Sequence, residues 1–186
     1  MYFISKGIPE KGGVSEALRI VTGGQVCTLF GLDEQLWLLG HRNIAKTTSR
    51  EQEEAVQRLQ QSGLAEYTTR EYPTAPYMIL IRCLIVPCKP GKRNALTKQE
   101  KIVLTWIREA GFRLSMAELV YLYENRIRPT KYLLGGDNRQ ALADILYPDG
   151  KIEANELETR MQTSSERKTV VDAVISLMQK KRVVFL

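Results

Sequence analysis

Residues Thr48 to Tyr67 read TSREQEEAVQRLQQSGLAEY, and the fold depends on how that stretch is parsed. Thr48 and Glu51 stand three apart, the spacing of a capping box, in which hydroxyl and carboxylate each satisfy an orphan backbone donor. Ala55, Val56 and Leu59 recur on one face at helical spacing. Gly63 stops the helix, and Leu64 to Tyr72 reads as a strand. The same plan returns as TSSERKTVVDAVISLMQKKRVVFL, from Thr163 to Leu186. There Thr163 and Glu166 are the box, Val170, Val171, Val174, Leu177 and Met178 face inward, and Arg182–Leu186 is a closing strand. Two related helix-plus-strand units are therefore expected, an α+β fold.

Working outward from the first copy, Met1–Ile4 is a β-type opening able to pair with a later strand. Val14–Val21 reads as a short helix between the turn pairs Gly12-Gly13 and Gly23-Gly24, neither of which belongs to a phosphate-binding pattern. Gln25–Phe30 fits a strand or a helix start, because so short an apolar run does not distinguish them. LDEQLWLLG (32–40) is a helix with a C-terminal glycine. Tyr77–Val86 is a second strand, which with Leu64–Tyr72 makes a hairpin wing.

Pro87–Asn94, with two prolines, a glycine and three cations, neither continues a strand nor starts a helix. The boundary is placed there: residues 1–88 form the first unit, 89–96 a basic connection, and 97–186 a helical segment plus the second unit. Thr97 with Glu100 caps a helix whose stripe is Ile102, Val103, Trp106, Ile107 and Ala110. Ser115 with Glu118 caps another that runs to about Asn125 and is apolar nearly all round, hence buried between neighbours. Asp137 with Gln140 opens a helix to Leu146, and Glu153–Met161 is a short one. The strand Arg182–Leu186 has no hairpin mate in its own unit. The N-terminal strand or a second copy of the chain, as a homodimer, is expected to cover it.

The helix–turn–helix–strand plan at Leu32–Val86 and Asp137–Leu186 resembles the winged-helix superfamily. That resemblance implies two winged-helix-like units packed together, a fold that often binds DNA by its third helix and wing and is also used to hold proteins. LDEQLWLLG with LQQSGL (59–64) is in addition similar to the opening of EspG-type chaperones of type VII secretion systems. This second resemblance implies a duplicated α/β fold that binds helical hairpins and no DNA.

Charge divides the two units. Residues 1–88 hold nine Lys/Arg and nine Asp/Glu; residues 89–186 hold eighteen and twelve, so the whole net charge of +6 lies in the second half. Candidate nucleic-acid contacts are Arg167 and Lys168 in the first turn of the last helix, Lys180, Lys181 and Arg182 at its end, and Lys92 and Arg93 in the connection. Lys89, Lys98, Lys101, Arg126, Arg128 and Lys131 would extend such a face. Lys180, Lys181 and Arg182 also complement the helix dipole, which is their plainer reading. The helix after Thr48 carries Glu51, Glu53 and Glu54 against Arg50 and Arg58, a poor face for phosphate and a better one for protein. The expected function is non-catalytic binding: a DNA-binding regulatory or accessory protein, with a protein adaptor or secretion-type chaperone as the alternative.

Other chemistry lacks its residues. Cys27, Cys83 and Cys88 stand at no metal-ligand spacing and the single histidine, His41, is remote, so no metal and no cofactor is expected. His41, just past Gly40, suits helix capping or solvent exposure. Asp149–Glu156 imitates the end of an EF-hand loop, but Ile145 and Tyr147 stand where carboxylates are required. No nucleophile elbow or glycine-rich phosphate loop is present, so an enzyme is not expected. The start MYFISKG lacks a secretory pattern and no run reaches the roughly 20 residues that span a bilayer, so a cytoplasmic protein is expected.

Overall fold

Tyr2–Ser5 (β1) is the spine of the first unit in the computed structural model, which describes residues 1–10, 17–88, 95–110, 114–129, 144–146 and 154–186. The chain divides into two units, Met1–Cys83 with Val184–Leu186, and Leu84–Val183. The fold is mixed α+β, with short antiparallel strands and helices interleaved along both units.

In the first unit Phe3, Ile4 and Ser5 are buried, so β1 is covered on both faces. It pairs antiparallel with β5 (Ala45–Lys46) on one side and β6 (Ala65–Thr68) on the other, with Phe3 opposite Ala45 and Tyr67. The expectation that the opening residues pair with a later strand holds, and the partners are β5 and β6. A second sheet has the order β2 (Ile8–Pro9), β3 (Leu18–Thr22), β4 (Gln25–Leu29). Gly23 and Gly24, at φ 56 and 83, make its two-residue turn of type I′, the turn whose twist matches a hairpin. The helix expected over Val14–Val21 is thus replaced by a strand over Leu18–Thr22. Ile20, Val21 and Thr22 are β-branched, and the Gly-Gly turn gives them a ladder partner.

α1 (Gly31–Gly40) docks on the end of β1: Ser5 Oγ donates to Trp37 O at 2.7 Å, and the Trp37 indole donates to Lys6 O at 2.9 Å. Gly40 is required there, because a Cβ would stand 2.5 Å from Ser5 Oγ and 2.8 Å from the Phe3 ring. His41 is the C-cap of α1, as its position suggested, and stacks on Trp37 at 4.3 Å. α2 (Arg50–Gln61) buries Ala55, Val56 and Leu59, as its stripe predicts. Its cap is displaced by one residue from the expected Thr48/Glu51 box. Ser49 accepts from Gln52 N, and Gln52 Oε1 takes the Thr48 N–H.

The expected hairpin wing is absent: β6 pairs with β1, and Ala75–Leu80 is a helix, α3. Pro76 near its start is pre-set for a first turn, and Ala75, Tyr77, Ile79 and Leu80 are buried at once. A run buried at every position but Met78 has no clear period to tell it from a strand.

The second unit opens with β7 (Leu84–Pro87), flanked by β8 (Leu114–Ser115) and by the start of β9 (Val183–Phe185). Two of the capping boxes expected here form. Thr97 and Glu100 exchange bonds of 2.7 and 3.2 Å at α4 (Lys98–Ala110), and Ser115 and Glu118 do so at α5 (Met116–Glu124). α5 buries Met116 to Val120 and Leu122, matching its apolar character. α6 (Ala154–Gln162) precedes α7 (Arg167–Gln179), which packs on α4 and α5. The Thr163/Glu166 box does not form: Thr163 Oγ1 donates back to Arg160 O, and Glu166 itself is the N-cap, without a side-chain bond. The box pattern fails because α6 has only just ended and its last carbonyls claim the hydroxyl.

The terminal strand is held within the chain. Cys88 N donates to Arg182 O in the second unit, and Gly7 N donates to Phe185 O in the first, each at 2.8 Å. Residues 89–94 and the EF-hand-like turn up to Ile152 and Glu153 lie outside the described residues, as does the expected helix at 137–146 except for 144–146, which are helical.

Candidate protein-binding surface

Glu51, Glu53 and Glu54, expected to meet a partner, are not equivalent. Glu53 is partly covered, accepting from Thr47 Oγ1 at 3.2 Å with the N-terminal ammonium 3.5 Å away. Glu54 is exposed and pairs with Arg50 at 3.0 Å. Glu51 is exposed. Arg58 reaches across to α1 and grips Asp33 at 2.7 Å; that hydrogen bond, then the Asp33 charge, raises its pKa. Over the two helices Asp33, Glu34, Glu51, Glu53 and Glu54 stand against Arg50 and Arg58, so the pair is acidic.

The expected nucleic-acid set is dispersed by packing. Arg167 donates to Gln162 O, and Lys168 pairs with Asp172. Lys180 Nζ lies 2.7 Å from both oxygens of Glu100, whose side chain is only 5% exposed. Arg182 is buried. Lys181 is exposed. Lys92 and Arg93 lie outside the described residues. The outward positions of α7 are Lys168, Thr169, Asp172 and Gln179, a face whose one ion pair cancels its charge. Beyond α7, Arg128 is tied to Glu109, whose carboxyl that contact holds low.

The sequence reading missed a set of apolar side chains. Among the described residues the large exposed hydrophobics are Ile8, Val26, Phe30, Leu38, Leu39 and Tyr72, and every one lies in the first unit. Phe30 is 65% exposed and Leu38 and Leu39 are 51% and 54%. A signal for the leucines was available. Leu36–Leu39 is four apolar residues in a row on a helix, and successive side chains turn by about 100°, so they cannot all face one core. Leu36 and Trp37 take the inside and Leu38 and Leu39 are left outside.

Among the described residues no group of His, Cys, Asp and Glu has the arrangement to hold a metal. The thiols of Cys27, Cys83 and Cys88 are free, and burial pushes Cys83 up to about 12, which makes it unreactive. No helix among those residues is long and apolar enough to cross a membrane. No family model, curated protein or solved structure matches the chain.

Proposed function

We propose that this chain is a non-catalytic binding protein whose first unit holds a protein partner. The observation that carries this is that, among the described residues, the exposed large apolar side chains all lie in that unit, which also holds an acidic helix pair. Exposed apolar groups gathered on one part of a surface mark interaction sites more than scattered ones do. A winged-helix-like plan suits the role only as local succession along the chain: a helix pair is followed by a short strand at α1–α2–β6 and at α6–α7–β9. Three free thiols fit a cytoplasmic setting.

DNA binding by the second unit is the second reading, favoured by the location of the whole net charge in residues 89–186. It is weakened by the engagement of Lys168 and Lys180 with carboxylates.

Two measurements separate the readings. Cross-linked capture from source cells, compared between wild type and a Leu38→Asp/Leu39→Asp variant, should lose a specific partner in the variant. Titration with duplex DNA should give binding no tighter than about 10⁻⁴ M at physiological salt. Capture unchanged by the variant, together with DNA binding whose log affinity falls by about 0.9 per phosphate contact against log salt, would reverse the order.

A further inference from the structure

The sheet β2–β3–β4 ends on an open strand. Because Gly23-Gly24 is a two-residue turn, the ladder bonds of the hairpin belong to the pairs Thr22–Gln25, Ile20–Cys27 and Leu18–Leu29. Val26 and Thr28 then direct their N–H and C=O groups away from β3, and these groups meet no partner among the described residues. Phe30, at φ −138 and ψ 155, extends the strand by one more residue before Gly31, at φ 55, turns the chain into α1. Side chains alternate across a strand, so Val26, Thr28 and Phe30 share one face. Cross-strand pairing adds Val21 and Ile8 to the row of Val26. That row is Ile8, Val21, Val26, with Ile8 and Val26 at 45% and 47% exposure, and it stops at the open edge.

Natural edge strands are blunted by charge or proline. The opposite edge of this sheet has Pro9 with Glu10 beside it, while residues 25–30 carry neither charge nor proline. The residues of this half balance nine cations with nine anions, and Arg19, the nearest cation on that face, is paired with Glu10 at 3.0 Å. Two identical copies of this edge therefore meet without repulsion.

We propose that this edge is a self-association surface: β4 pairs antiparallel with β4 of a second copy of the chain, about a two-fold axis at Thr28. That centre places each Val26 opposite Phe30 of the other copy, and Thr28 opposite Thr28. Aromatic–β-branched and Thr–Thr pairs are among the favoured cross-strand contacts. Neighbouring centres are poorer. An axis at Val26 leaves Phe30 uncovered, one at Cys27 sets Phe30 against Gly24, and one at Leu29 sets Val26 against Leu32, which is already in α1. The Thr28 register adds about four to six backbone hydrogen bonds and carries the row Ile8–Val21–Val26 on into Phe30 of the other copy. The contact is isologous, so it closes at a dimer. This inference shares Ile8, Val26 and Phe30 with the exposed set behind the protein-partner reading, but its test reads residues 25–30 while that reading is tested at Leu38 and Leu39 on α1.

The test is sedimentation equilibrium of the full chain from about 1 to 300 μM, with hydrogen exchange at both ends of that range. The expected result is a concentration-dependent dimer in which residues 25–30 gain protection. Thr28→Pro should weaken it at least about tenfold, since that N–H serves no bond to β3 and proline is tolerated on an edge. Should Thr28→Pro lower the melting temperature, Val26→Lys/Phe30→Lys serves instead, setting like charges opposite each other across the axis. A chain that stays monomeric throughout the range overturns the proposal. So does a dimer that survives the folded variant, or one whose protection appears elsewhere.

Discussion

Lys180 Nζ sits 2.7 Å from both carboxylate oxygens of Glu100, tying the end of α7 to the start of α4. Ser176 Oγ donates to the same carboxylate, as does Thr97 N at 2.7 Å, so one buried side chain closes a capping box and an interhelical ion pair together. Burial alone would push the Glu100 carboxyl up; the bonds from Lys180, Ser176 and Thr97 outweigh it and hold it below its ordinary 4.5. A carboxyl lowered by folding contributes stability above its unfolded value and loses it as pH falls toward the folded one. Glu100→Gln should therefore destabilise by about 1–3 kcal/mol at pH 7. The gap between the urea midpoints of variant and wild type should narrow steadily below pH 4.5. A gap constant down to pH 3 would mean the carboxylate charge is not what matters.

Helices α2, α5 and α7 end in one geometry. Leu64 N donates to Leu59 O, Ile127 N to Leu122 O and Arg182 N to Leu177 O, each around a residue of positive φ: Gly63, Arg126 and Lys181. This is the Schellman motif, whose left-handed position favours glycine. Nothing lies within 4 Å of a Cβ built on Gly63, so Gly63→Ala isolates the backbone term and should destabilise by about 1 kcal/mol. Lys181→Gly should move the other way by a similar amount. A Lys181→Gly melting point below wild type would show that the lysine side chain has a role of its own.

Gly40→Ala tests close packing instead. The added methyl collides with Ser5 Oγ and the fully buried Phe3 ring, and the α1–β1 contact has to open. A loss of about 1–3 kcal/mol is expected in thermal denaturation. Equal melting of variant and wild type would mean that α1 rides less tightly on β1.

The caps should rank by their geometry. Thr97→Ala and Ser115→Ala each remove a hydroxyl that accepts from the third helical N–H, and should destabilise by about 0.5–2 kcal/mol. Thr163→Ala removes only a bond to Arg160 O and should shift the urea midpoint far less. Equal losses at Thr97 and Thr163 would contradict the helix start at Arg167.

Leu38→Asp/Leu39→Asp should destabilise by no more than about 1–2 kcal/mol, since both side chains are about half exposed and the cost is mainly helix propensity and charge in the last turn of α1. Equilibrium unfolding of the purified variant checks this and makes any lost partner capture attributable to the surface. A large destabilisation would place the leucines in a contact instead.

Local information was enough for much of the chain. The stripe Ala55–Val56–Leu59, the boxes at Thr97 and Ser115, the all-round apolar α5 and the glycine stop at Gly63 depend on residues within one or two turns. Short-range sterics and hydrogen bonds settle them, and the sequence alone determined them. Tertiary structure decided what depends on distant partners. Whether Leu18–Thr22 is helix or strand turned on its ladder with Gln25–Leu29, and whether Tyr77–Leu80 is strand or helix turned on near-complete burial that blurs any period. The basic cluster at Lys180–Arg182 looked available until Glu100, eighty residues earlier, claimed Lys180 and packing covered Arg182. The apolar row at the β4 edge exists only because Ile8, Val21 and Val26 meet across three strands. A linear reading records which side chains carry charge or oil; only the packed chain determines which of them remain in water.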